Sequence, residues 1–157
     1  MFVSSFPLIE VSNYLFYNTD EVMKMAEVNI GETVKAHYHS GTYIGKVIED
    51  RGDKYLIEVL AVHKHPMQGD IHNPGKVENV FFHERKALFL REKMNVKKAA
   101  VHPYEDKIPS YGNSLRRAVE VYREKLLQED TPYNKLALER LETLEKDEYE
   151  KKYYHLS

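Results

Sequence analysis

The sequence predicts an α+β fold: a small antiparallel β-sheet or SH3-like barrel, followed by an extending C-terminal antiparallel helical hairpin. Three observations lead there. From about residue 33 to 90, β-branched, aromatic and other apolar residues come in short runs broken by Gly-, Asn- and Asp-bearing turns. After residue 113 the apolar spacing changes to that of amphipathic helices. Between them, His102-Pro103, Ile108-Pro109 and Gly112 suit an irregular connector, because the residue before a proline is pushed out of helical geometry. The chain has 157 residues, 42% of them apolar and 31% charged. That is enough for one domain with a helical appendage and too little for two large ones.

Residues 1–24 read as an amino-terminal extension. They are rich in apolar and aromatic residues, with Glu10 in their midst and no basic residue before Lys24. A secretory signal would carry early positive charge. Met23 and Met25 sit just before the first regular pattern, where translation could also start. Residues 25–101 form the predicted β domain. Thr33 to Tyr38 alternates, with Val34, Ala36 and Tyr38 on one face, and Ser40-Gly41 offers a turn. Tyr43 to Glu49 makes a second strand. Arg51-Gly52-Asp53 reads as a hairpin turn rather than an adhesion signal. Lys54 to His63 carries apolar residues on both faces, as a strand covered on two sides does. Pro66 to Gly75 is a turn-rich loop, and Val77 to Phe82 and Ala87 to Leu90 read as further strands.

Residues 102–112 are the connector and 113–157 the helical hairpin. Asn113 or Ser114 is placed to cap a helix reaching about Gln128, with Leu115, Val119, Tyr122 and Leu126 along its apolar stripe. Thr131 caps the next helix and Pro132 fills its first position. That helix carries Leu136, Leu138, Leu141 and Leu144, then a charged end from Glu145 to Lys152 that reads as a solvated face.

Composition removes several function classes. With no cysteine there is no disulfide, no thiolate metal site, no cysteine nucleophile and no cysteine-linked lipid anchor. A net charge of −2 argues against a general nucleic-acid binder. The middle is nonetheless mildly basic: residues 24–101 hold 13 basic and 10 acidic residues. Tyr38, Tyr43, Tyr55, Phe81 and Phe82, interleaved with Lys35, Lys46, Lys54 and Lys64, therefore form an alternative oligonucleotide platform. A third reading is a metal-dependent enzyme using His63, His65, Asp70 and His72, with His63 and His65 on one strand face. His83-Glu84 lacks the second histidine of a zinc-protease helix, because Ala87 stands there. No phosphate-binding glycine loop or nucleophile elbow is present.

One stretch is distinctive: Val59-Leu60-Ala61-Val62-His63-Lys64-His65-Pro66-Met67-Gln68-Gly69-Asp70-Ile71-His72-Asn73-Pro74. With Phe81-Phe82-His83-Glu84-Arg85-Lys86-Ala87-Leu88 it resembles the kinase-associated protein B family of spore-forming bacilli. Thr42-Tyr43-Ile44-Gly45 upstream, and Pro103-Tyr104, Ile108-Pro109 and Ser114-Leu115 downstream, extend the likeness over about residues 25–128. The resemblance implies a non-enzymatic regulator without catalytic residues or cofactor, whose partner is a membrane sensor histidine kinase feeding the sporulation phosphorelay. With no cysteine to carry a lipid, membrane contact is expected only through that kinase, which places the protein in the cytoplasm. Nothing in the residues fixes an oligomeric state. The expected partner surface is the loop His65, Pro66, Gln68, Gly69, Asp70, His72 and Asn73, together with Phe81, Phe82 and His83. Proline and glycine there can hold polar side chains in one shape on a rigid β scaffold.

Overall fold

A computed structural model describes residues 27–157; the extension expected over residues 1–24 lies outside them. Five strands form one antiparallel sheet: β1 (Thr33–Tyr38), β2 (Gly41–Asp50), β3 (Lys54–Lys64), β4 (Lys93–Lys97) and β5 (Val101–Pro103). Their order is β4-β3-β2-β1-β5. β4 and β5 thus occupy opposite edges, yet only a 3-10 turn, Lys98–Ala100, joins them. Five flat strands would hold the edges about 19 Å apart, whereas the four residues from Lys97 to Val101 reach at most about 14 Å. The sheet must curl, and β1 indeed touches β4 and the 3-10 turn across the curl. β4 and β5 are not hydrogen-bonded neighbours, so of the two expected forms the open sheet is the one observed.

The first three strands form where the sequence predicts them. Val34, Ala36, Tyr43, Val47, Tyr55, Ile57 and Val59 are buried together. β3 is largely buried, because β2 and β4 pair with its two edges and a helix packs on one of its faces. The first turn sits one residue earlier than expected. His39 and Ser40 both take positive φ (46° and 67°), and Gly41 already pairs with Tyr38 as the first residue of β2. Two left-handed residues match the twist of a tight hairpin, which is why the turn settles there. Arg51-Gly52-Asp53 closes the second hairpin, with the Gly52 N–H donating to the Asp50 carboxylate at 3.0 Å.

The last two strands differ from expectation. Val77–Phe82 and Ala87–Leu90 are irregular, and β4 and β5 take their place. The peptide N–H groups of Arg85, Ala87 and Leu88 go to side chains instead of a neighbouring strand. β4 was hidden because its Lys-Met-Asn-Val-Lys run has only two apolar residues; Met94 and Val96 point inward and the rest outward.

Two helices follow, α1 (Tyr111–Leu127) and α2 (Pro132–Leu144). α1 is capped by Ser110, whose hydroxyl accepts the Asn113 N–H, three or four residues before the expected cap. Ser114 lies inside the first turn, where its hydroxyl accepts the Val62 N–H at 2.9 Å and donates to the Tyr111 carbonyl. The predicted stripe is the buried one: Leu115, Val119, Tyr122 and Leu126, joined by Tyr111 and Ala118. α2 starts at the Thr131 cap with Pro132 first, as expected. Of its leucines, Leu141 and Leu144 are fully buried and Leu136 and Leu138 only partly.

Glu145–Tyr153 continues as a π-helix, seen in the Tyr154 N–H donating to the Tyr149 carbonyl five residues back. An unbroken α-helix would bring Glu148 beneath Leu144. The wider π turn brings Tyr149, and then Tyr153, into the core instead. The expected solvated end is therefore anchored from within.

The tail after Tyr153 closes over the start of α1. The Gly112 N–H donates to the Leu156 carbonyl at 2.7 Å, and a β-carbon on Gly112 would overlap the Tyr154 carbonyl. Gly112→Ala should lower stability by about 1–3 kcal/mol through overpacking, seen as a drop of roughly 3–10 °C in thermal melts.

Candidate functional site

Between β3 and β4 the chain makes a long excursion that pairs with no strand until Arg91 and Glu92 exchange hydrogen bonds with Val59. It passes beneath the helices and leaves peptide groups without ladder partners. Tyrosine hydroxyls supply them. The Tyr122 hydroxyl accepts the Gln68 N–H at 2.9 Å, and the Tyr133 hydroxyl donates to the Gln68 carbonyl at 2.6 Å. The Tyr43 hydroxyl accepts the Leu88 N–H at 3.2 Å, and the Tyr111 hydroxyl donates to the Leu88 carbonyl at 2.7 Å. The Tyr149 hydroxyl accepts the Ala87 N–H at 2.9 Å. Burial pushes Tyr43 up to about 12 and raises Tyr111, Tyr122 and Tyr149 further, so all four remain protonated.

His65 completes this set. Its Nδ1 lies 2.8 Å from the Pro66 carbonyl, which can only accept, so the proton sits on Nδ1. Its Nε2 then accepts from the Tyr149 hydroxyl at 2.7 Å. The ring also stacks on Tyr122, centroids 5.6 Å apart. Burial lowers its pKa from 6.5 to about 4, which keeps the ring neutral.

The Gln68 side chain pairs with the returning chain as a strand would. Its Oε1 accepts the Arg85 N–H and its Nε2 donates to the Arg85 carbonyl, both at 2.9 Å. The Arg85 guanidinium reaches back to the carbonyls of Met67 and Gly69. Gly69 takes φ of +96° beneath Phe82 and Tyr133, and its N–H donates to the His83 carbonyl at 2.8 Å. A side chain there would be strained and would meet the Phe82 ring.

The ten residues expected to form a partner surface divide into two groups. His65, Pro66, Gln68 and Gly69 are buried and act from within. Phe82 is half-buried against Tyr133. Asp70, His72, Asn73, Phe81 and His83 reach solvent. Asp70 shapes this tip: its carboxylate accepts the His72 N–H and the Asn73 side-chain amide, each at 2.9 Å, and these bonds lower its pKa. Phe81 is 73% exposed and packs on His83 with centroids 4.4 Å apart.

The metal-site reading is corrected. β3 ends at Lys64, so His63 points to solvent and His65 into the core instead of sharing a face. Among the described residues no group of three His, Asp or Glu could hold a metal ion. Of the five aromatics of the oligonucleotide platform, Tyr43 and Tyr55 are buried and show no ring face to a base, Tyr38 and Phe82 are half-buried, and Phe81 is exposed. The sequence reading missed Arg85, Tyr111, Tyr133 and Tyr149 as parts of this assembly. The available signal was a tyrosine at a core position where phenylalanine would pack as well; a buried hydroxyl needs a partner.

Comparisons with known proteins show what this chain is similar to. A family model described as Kinase associated protein B (KapB) matches residues 38–150. The chain is 41% identical over 123 residues to "Kinase-associated lipoprotein B" of Bacillus subtilis (strain 168), covering 78% of this chain and 96% of that one. The crystal structure of kinase-associated protein B from Bacillus cereus is similar with a TM-score of 0.66 and 36% identity, over 77% of this chain and 97% of the other.

Two outcomes follow from the clamp. Tyr149→Phe leaves the Ala87 N–H and His65 Nε2 without their partner and should cost about 2 kcal/mol, whereas Tyr104→Phe, at an exposed hydroxyl, should not change the melting temperature. His65 also makes stability depend on pH. Its folded pKa lies below its unfolded value, so the unfolded chain takes up the proton first as pH falls. The contribution is complete above about pH 6.5 and disappears by about pH 4, up to roughly 3 kcal/mol in all. Thermal melts across that range should show a flatter pH dependence in His65→Phe than in the unaltered protein.

Proposed function

The chain belongs to the kinase-associated protein B family, and from that premise we propose that it is a non-enzymatic regulatory protein. It supports a membrane sensor histidine kinase of the sporulation phosphorelay by binding to it. The observation that carries this reading is the use made of the family-like motif. Its buried half clamps the loop to sheet and helices, and its exposed half is thereby held as a fixed tip. Asp70, His72, Asn73, Phe81 and His83 are presented without having to be ordered when a partner arrives. An exposed aromatic on such a support is the kind of residue that contributes most to protein interfaces.

The B. subtilis relative is named a lipoprotein. These 157 residues include no cysteine for a lipid, and no helix among the described residues is long and apolar enough to cross a membrane. The reading places the protein in the cytoplasm, brought to the membrane by its kinase.

The test is capture of the kinase by tagged protein from sporulating cells. Phe81→Ala with His83→Ala should reduce recovery at least tenfold while circular dichroism stays unchanged, because both side chains are exposed. Equal recovery would remove the tip as the contact. Absence of any kinase from captures with the unaltered protein would remove the proposed function.

A further inference from the structure

Three adjoining hollows that share lining residues run along one side of α1 and together make a groove. At its start, Val62 and His63 of β3 face Pro109, Ala118 and Val121 across a space of about 410 Å³. It narrows to about 70 Å³ between His63 and Tyr122, where Met67 and Lys125 also line it. It then opens to about 270 Å³ beside Pro74 and Gly75, at the loop that carries the proposed tip. From Asn113 to Gln128 the helix offers about 23 Å of length.

Two features give this groove a chemical character. Its floor is apolar, and Val121 is 53% exposed although it sits mid-helix beside the core. Its rim is basic: Lys64, Arg117 and Lys125 line it beside His63, whose pKa is lowered first by burial and then by the nearby Lys35 and His37. Among the described residues the one carboxylate lining it is Glu129, at the far end. In a chain of net charge −2 such a stripe is not the average surface. An apolar floor with a positive rim complements a segment of opposite pattern. Nucleic acid fits less well, since Tyr122 in the narrow part is only 8% exposed and leaves no ring for a base to stack on.

We infer that this groove docks an acidic amphipathic segment of the partner protein. Its apolar side chains lie on Val62, Pro109, Ala118 and Val121, and its carboxylates meet Lys64, Arg117 and Lys125. The inference rests on the proposed kinase association and adds a binding face that the family-like motif does not contain. The groove ends at Pro74 and Gly75, so one partner can engage both groove and loop.

Photocrosslinking in sporulating cells tests it. Val121→p-benzoylphenylalanine and Phe81→p-benzoylphenylalanine are made in the full chain, with melting curves to verify folding. The result expected is a Val121 adduct with the kinase, mapped by mass spectrometry to a segment of net negative charge. Arg117→Glu with Lys125→Glu should reduce that adduct at least tenfold, and Arg117→Lys with Lys125→Arg should retain it; all four changes are at exposed positions. A kinase adduct from Phe81 alone overturns the groove and leaves the proposed function standing. Failure of both positions to reach a kinase overturns both. A Val121 adduct with nucleic acid, with a second copy of this chain or with a basic segment overturns the inference, as does an adduct indifferent to charge reversal.

Discussion

A peptide group taken out of water needs a hydrogen-bond partner, and a chain that leaves a β-sheet loses the partners the sheet gave it. Here the chain leaves β3 at Lys64 and runs beneath two helices before it returns. The peptide groups of Gln68 and Leu88 each receive one tyrosine as acceptor and another as donor. Because those tyrosines come from β2, α1 and α2, the same bonds that satisfy the loop also tie sheet to helices. The buried imidazole of His65 extends the connection to Tyr149, 84 residues away, in the π-helical end. The loop is thus the joint through which the two halves of the molecule hold each other.

How much was legible depended on whether local pattern or distant partners decided the structure. β1 was legible because it alternates, β2 because it is rich in β-branched and aromatic residues, and β3 because it is apolar on both faces; turns bound all three. The stripe of α1 and the Thr131-Pro132 start of α2 were legible because capping and helical spacing are local. Val77–Phe82 has strand-like residues, but Asn79 takes a left-handed φ of 57° and the run has no partner strand. The end from Glu145 to Lys152 reads as a charged face, but the wider turn there buries Tyr149 within it and Tyr153 just beyond it.

The expected surface was half legible for a related reason. Sequence identified the loop and its distinctive residues, but polarity does not say which way a side chain faces. His65 and Gln68 are each 1% exposed, and their polar atoms are used inside the fold. The groove along α1 had no sequence signal, since Val62 and Val121 become neighbours only when α1 lies across β3.

The curl of the sheet has a further consequence. An exposed sheet edge is a template on which another chain can add a strand, and long flat edges invite uncontrolled association. The two edges here are β5, three residues long, and β4, five residues long with a lysine at each end. The 3-10 turn between them brings both to the same side of the curl. Little backbone remains for strand addition or self-templating, and recognition is left to side chains.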